Sequence, residues 1–261
     1  MNNGNGMDIR TAIFLAAVCG QTYVQYNNDG LFLVPTTYRL VGQFQAASYT
    51  GNEEPFGFVL ESDRAAILAF RGTSSPTDWV MDMIAQQVPF KPVKNGGYTH
   101  RGFTEVYMSA RDQFLRLLDQ VPKDKPLFVT GHSLGGALAT LASLDIAVNR
   151  KPSALITYTF GAPRTGDPVF VRTYNAVVPL TFRVQNEFDV VPHLPPLVYQ
   201  SPKTDKTYYY LHVKEEAKRS FRMGSVGGNH IISSYFADLA REAPAFVAAT
   251  CQSPPGWCPQ K

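Results

Sequence analysis

Leu127-Phe-Val-Thr-Gly131-His132-Ser133-Leu134-Gly135-Gly136 is the stretch whose reading decides the fold. A short, mostly apolar run leads into a Gly-x-Ser-x-Gly pattern, and an Ala/Leu-rich run leads out of it. The first suits a strand covered on both faces, the second a buried helix. The five-residue pattern is weak evidence alone; its strand-to-helix context is what gives it meaning. So sharp a turn needs glycine on both sides of the serine, because a Cβ there would meet neighbouring backbone. The turn lifts the Ser133 hydroxyl above the sheet edge. It also aims the first N–H groups of the helix, led by that of Leu134, at the same point, where they can hold developing negative charge. A phosphate-binding loop is disfavoured, since Ala137 and not Lys follows the last glycine.

Working outward, short β-like runs alternate with helical ones. Strands are expected over 38–46, 56–60, 65–70, 127–130, 155–160, 181–184 and 207–213. Helices are expected over 8–26, 104–121, 137–148, 167–177 and 230–241, with apolar residues at helical spacing and Pro122 closing the second. The run 65–70 is apolar on both parities. This alternation predicts an α/β fold, a mainly parallel central sheet covered by helices on both faces.

The chain has 261 residues, 44% apolar and 17% charged, enough for a sizeable core and too apolar for wholesale disorder. A single domain over 1–261 is expected, with a flexible tail over 1–7. Net charge is +3, and the densest basic stretch, 214–222, is interrupted by Glu215 and Glu216. Nucleic acid is therefore a poor partner for it. No apolar run approaches the roughly 18 residues that a membrane-spanning helix needs. The apolar segment 12–18 lacks the cationic flank and cleavage site of a signal peptide and reads as an opening helix. Three cysteines are too few for a disulfide scaffold or a Cys-rich zinc site. Cys251 and Cys258 flank Gln-Ser-Pro-Pro-Gly-Trp, a turn-rich spacer compatible with a disulfide and equally with two free thiols.

A serine hydroxyl needs a general base, usually a histidine held by a carboxylate. Five histidines compete. His132 adjoins Ser133, and its side chain should point away from it, into a packing or hydrogen-bonding role. His100 lies upstream of a helix, His193 in a proline-bound turn, and His212 within an expected strand. His230 follows Gly227-Gly228-Asn229 and is expected to begin a helix, a setting that presents a side chain at an element boundary. Among the carboxylates between Ser133 and His230, Asp145 lies inside the helix after the serine, and Asp167 suits a helix cap. Asp189 follows the strand at 181–184, on the same sheet edge as Ser133, and is the preferred acid. Glu187 is the runner-up.

With these residues in place, the chain resembles the class 3 (fungal type, Rhizomucor-like) lipase family, from the first helix to about Phe236. Four stretches carry the resemblance: Ala69-Phe-Arg-Gly-Thr73, Thr130-Gly-His-Ser-Leu-Gly-Gly-Ala137, Phe160-Gly-Ala-Pro-Arg164 and Asn186-Glu-Phe-Asp-Val-Val-Pro192. The resemblance implies an α/β-hydrolase fold and a serine hydrolase of carboxylic esters, foremost a triacylglycerol lipase. It implies Ser133 as nucleophile, Asp189 as orienting acid and His230 as general base. Thr73 and the N–H of Leu134 would form the oxyanion hole. A lid is expected over 76–84, where Trp79, Val80, Met83 and Ile84 share one apolar helical face that either opens at a lipid–water interface or stays as a fixed wall. Soluble or feruloyl-type esterases and phospholipases share the fold and triad, polyester cleavage is a conceivable side activity, and an inactive binding protein is the remote alternative. The chemistry requires no metal or cofactor. An extracellular site is open by the resemblance; the oligomeric state is not addressed by it.

Overall fold

A computed structural model of the chain describes residues 6–47, 51–73, 86–202 and 204–260. In chain order the elements are α1 (Ile9–Asn27), β1 (Arg39–Ala47), β2 (Glu53–Glu61), β3 (Ala66–Phe70), β4 (Gln87–Pro89), β5 (Tyr98–His100), α2 (Arg101–Leu118), β6 (Leu127–His132), α3 (Leu134–Asn149), β7 (Leu155–Phe160), α4 (Pro168–Val177), β8 (Leu180–Asn186), a 3₁₀ turn (Val191–His193), β9 (Val198–Gln200), β10 (Thr207–Tyr209), β11 (Glu216–Arg219), α5 (Val226–His230), α6 (Ile232–Ala240) and α7 (Pro244–Thr250).

Seven strands form the main sheet in the order β1-β2-β3-β6-β7-β8-β11. The last five run parallel, while β1 and β2 pair antiparallel at one edge. Strand alternation sends side chains to two separate cores. In β3, Ala66, Leu68 and Phe70 join the cluster under α2, α3 and α4. Ile67 and Ala69 face the other way, into the cluster under α1, α6 and the C-terminal segment. Both faces of the sheet are thus covered, as the apolar reading of 65–70 requires.

α3 is buried from Leu134 to Ile146, which is why it reads as apolar all round. Its one buried acid, Asp145, pairs with Arg111 and accepts the Tyr107 hydroxyl, both on α2, at 2.5 Å each. Asp8 caps α1 by accepting the Thr11 N–H at 2.9 Å, and Asp167 caps α4 through the Phe170 N–H at 2.7 Å.

Three expectations change. Met7 is buried against the α1 core and so does not belong to a free tail. The expected strand over 207–213 stops at Tyr209 in β10, which places His212 outside it. His230, expected to begin a helix over 230–241, instead ends α5, and α6 starts only at Ile232, because Ile231 between them takes an extended conformation (φ −59°, ψ 144°). Trp79, Val80, Met83 and Ile84 lie outside the described residues.

Parallel strands all end on one edge, and this positions the site. Register pairs Phe70 with Gly131, and His132 with Phe160. The loops that follow β3, β6 and β8 therefore open side by side, carrying Thr73, Ser133 and Asp189. β11 pairs alongside β8, with Arg219 opposite Asn186, and feeds α5, which delivers His230.

Candidate active site

Ser133 sits between β6 and α3 with φ 57° and ψ −127°, a conformation that residues with a Cβ seldom adopt. Strain of this kind costs on the order of 1–3 kcal/mol and has to be held by its surroundings. The Ser133 N–H donates to the Phe160 carbonyl at 2.9 Å, and its carbonyl accepts from Gly136 N–H at 2.9 Å. The flanking glycines are sterically required. A Cβ on Gly131 would lie 2.1 Å from the Gly135 carbonyl oxygen, and one on Gly135 would lie 2.3 Å from that of Phe70.

The Ser133 hydroxyl lies 2.9 Å from His230 Nε2, and His230 Nδ1 lies 2.7 Å from Asp189 Oδ2. Ser133, Asp189 and His230 are all buried, none more than 2% exposed. The structure thus brings the three sequence-selected residues into one hydrogen-bonded line. With the carboxylate accepting at Nδ1, the proton belongs on that nitrogen, which leaves Nε2 to accept from serine.

Asp189 has two further partners. Its Oδ1 accepts the Val191 N–H at 3.0 Å, and its Oδ2 accepts the Tyr235 hydroxyl at 2.7 Å. Burial and the adjacent carboxylate push Tyr235 well above the usual tyrosine range, so it stays protonated and donates. Glu187, the runner-up acid, turns instead to the Ser220 hydroxyl and to Lys218, and these contacts hold its carboxyl below the usual range.

Two asparagines tie the Asp189 loop to the His230 loop. Asn186 donates from its side chain to the Asn229 carbonyl at 3.1 Å and accepts the Phe221 N–H at 3.0 Å. Asn229 donates to the Phe188 carbonyl at 3.2 Å and accepts the Met223 N–H at 2.8 Å. α5 itself is capped by Ser225, which accepts the Gly228 N–H at 2.9 Å. Neither asparagine nor Tyr235 stood out in the sequence. Asn186 at the end of a strand and Asn229 directly before the histidine were the available signals.

Thr73 lies just past β3, half-buried, and its hydroxyl oxygen is buried without a partner. Next to it, Gly72 packs so close to the elbow that a Cβ there would stand 3.1 Å from that of Ser133. Leu134 opens α3, so its N–H belongs to the first turn, whose amides have no partner within the helix. An unpartnered hydroxyl and a helix-terminal amide thus come from loops that meet at Ser133.

The other histidines are placed elsewhere. His100 caps α2 through the Phe103 N–H at 3.3 Å, and His193 is exposed. His212 reaches the Pro192 carbonyl at 2.7 Å. His132 points away from Ser133, toward Tyr23 and the backbone of His230. Among the described residues, no group of His, Cys, Asp and Glu side chains is arranged to hold a metal ion. No described helix is long and apolar enough to cross a membrane.

A parallel-centred sheet with a serine elbow, a histidine and a carboxylate at one edge is the α/β-hydrolase arrangement. The chain belongs to the class 3 lipase family, whose model matches residues 67–199. It is 37% identical over 164 residues to a lipase of Rhizomucor miehei, an alignment covering 60% of this chain and 42% of that protein. It is 32% identical over 166 residues to phospholipase A1-II 1 of Oryza sativa subsp. indica, covering 54% of this chain and 42% of that one. The chain thus spans less than half the length of these curated relatives. The crystal structure of a lipase from Rhizopus microsporus var. chinensis superposes with a TM-score of 0.66 at 30% identity, over 80% of this chain and 74% of that one.

Proposed function

We propose that the chain, folded as one domain, hydrolyses carboxylic esters of lipids through an acyl-enzyme on Ser133, with triacylglycerol as the foremost substrate class. The observation that carries the reading is the buried line from Ser133 Oγ through His230 to Asp189, at 2.9 and 2.7 Å. Membership of the class 3 lipases supports it.

His230 Nε2 takes the proton as Ser133 Oγ attacks the ester carbonyl carbon. The carbonyl oxygen becomes an oxyanion, held by the Leu134 N–H and by the backbone N–H and hydroxyl of Thr73. Losing one such donor typically costs about 2.7–4 kcal/mol in the transition state. The imidazolium, stabilised by Asp189, then protonates the departing alcohol. Water, deprotonated by His230, repeats the attack on the acyl-enzyme and releases the acid and free Ser133.

The match to a rice phospholipase A1 favours one second reading, in which the ester cleaved is the sn-1 ester of a phospholipid. The deciding experiment follows hydrolysis of tributyrin through its solubility limit, and of phosphatidylcholine dispersions, with Ser133→Ala as the blank. A jump in tributyrin rate as droplets form supports an interfacial lipase. Smooth saturation below that limit supports a soluble esterase, and preference for phosphatidylcholine the second reading. Wild-type rates equal to the blank on every ester would overturn the proposal.

A further inference from the structure

α1 precedes every residue assigned to the site, yet it reaches the site's centre. The Tyr23 hydroxyl lies 2.6 Å from His132 Nδ1, and His132 Nε2 lies 2.7 Å from the carbonyl oxygen of His230. A carbonyl can only accept, so Nε2 carries the proton, and the other nitrogen of a neutral ring accepts from tyrosine. The tyrosine oxygen also packs against the loop that bears Thr73, at Gly72. The approach is close: a Cβ on Gly72 would sit 2.2 Å from the Tyr23 oxygen and 2.7 Å from the His132 carbonyl oxygen. Every donor in this series finds an acceptor. The contacts run from the loop bearing Thr73, through α1 and the elbow, to the backbone of His230.

We propose that Tyr23 is a positioning residue, acting through His132 to hold the Thr73 loop and the His230 backbone in register around Ser133. The inference rests on the roles assigned above to Ser133, His230 and Thr73. It adds a demand on His132. The two imidazole centroids are 4.7 Å apart, so a charge on His132 would oppose the imidazolium that forms on His230. Burial, followed by the repulsion from His230, holds His132 well below the usual histidine range and keeps it neutral. The rest of the grip on the Thr73 loop also comes from α1 and β2. The Arg71 guanidinium lies over the Tyr26 and Phe56 rings at 3.8 and 4.5 Å, and Glu54 pairs with it at 2.7 Å.

The test compares wild type, Tyr23→Phe, His132→Gln and the double variant on p-nitrophenyl butyrate. Active sites are counted by stoichiometric p-nitrophenolate release from diethyl p-nitrophenyl phosphate, so misfolded protein drops out of kcat. Misplaced catalytic groups predict that Tyr23→Phe lowers kcat about tenfold, with KM within about twofold of wild type. His132→Gln keeps an N–H for the His230 carbonyl and cuts the same Tyr23–His132 link. The double variant should therefore fall no further than the worse single one, the signature of residues in one network. A Tyr23→Phe kcat at the wild-type level, even with a lowered melting temperature, overturns the inference, as do effects that multiply in the double variant. A wild type that releases no p-nitrophenolate overturns the assigned function and this inference with it.

Discussion

The Tyr235 hydroxyl donates to the same Oδ2 of Asp189 that faces His230 Nδ1, each at 2.7 Å. One carboxylate oxygen thus serves two donors, while the other is taken by the Val191 N–H. Tyr235 also accepts the Asn186 N–H at 3.1 Å, so it is fixed at both ends. The carboxylate is held by three hydrogen bonds and has no freedom to swing from the imidazole.

Tyr235→Phe removes one of these bonds and leaves the Asn186 amide without its partner. Hydrogen bonds to a charged group are worth about 1.5–3 kcal/mol, so kcat/KM should fall roughly 10- to 100-fold. Steady-state kinetics on a soluble short-chain ester check this. An unchanged kcat/KM would show that the other two donors suffice to hold Asp189.

The two acids within three residues of each other separate by mutation. Asp189→Asn puts an amide against His230 Nδ1 and favours the wrong tautomer, a change that cost a trypsin-type triad about 10⁴ in kcat. A comparable loss is expected here. Glu187 is spent on Ser220 and Lys218 at the surface, so Glu187→Gln should leave kcat within about twofold. The opposite ranking would move the acid to Glu187.

Much of this arrangement was legible because it is local. The glycines around Ser133 are dictated by clashes of 2.1 and 2.3 Å, and steric demands of that kind mark the sequence directly. The two-sided apolar pattern of 65–70 likewise reports a strand between two cores. β11 was not legible. Its residues, Glu216-Ala-Lys-Arg219, read as part of a charged run, and that is how an exposed sheet edge protects itself. The break at Ile231 was hidden too, since an apolar residue before an apolar helix shows no stop signal. Tyr23 and Tyr235 act across segments distant in sequence, and nothing in their immediate neighbours announces it; Asn186 and Asn229 offered only their places at a strand end and before His230.

Acid should weaken the fold through His132, which is 2% exposed. Its pKa is depressed in the folded state, so below the unfolded value of about 6.5 the unfolded chain binds a proton that the native one refuses. The contribution is intact above that value and is lost as pH falls toward the depressed one, at about 1.4 kcal/mol per pH unit. Urea midpoints between pH 7 and 5 should show this slope, and His132→Gln should flatten it by that amount. Equal slopes in the two proteins would mean that His132 titrates normally in the fold.

The cysteines make a prediction that needs only thiol counting. Cys251 and Cys258 are bonded, which resolves the alternative left by their spacing. The loop they close presents Trp257, fully buried, to α1, where Gln21 donates to its carbonyl at 2.5 Å. Cys19 is the remaining thiol, bonded to Thr130 at 3.3 Å, and burial pushes its pKa to about 12. A thiol so shifted is almost never a thiolate at neutral pH and hardly reacts. Oxidised native protein should therefore show no reactive thiol, the denatured protein one, and the denatured and reduced protein three. Cross-links closing so short a loop are worth about 2 kcal/mol, and Cys251→Ser/Cys258→Ser should lower unfolding stability by that much. Three thiols in the denatured, unreduced protein would show that the bond does not form.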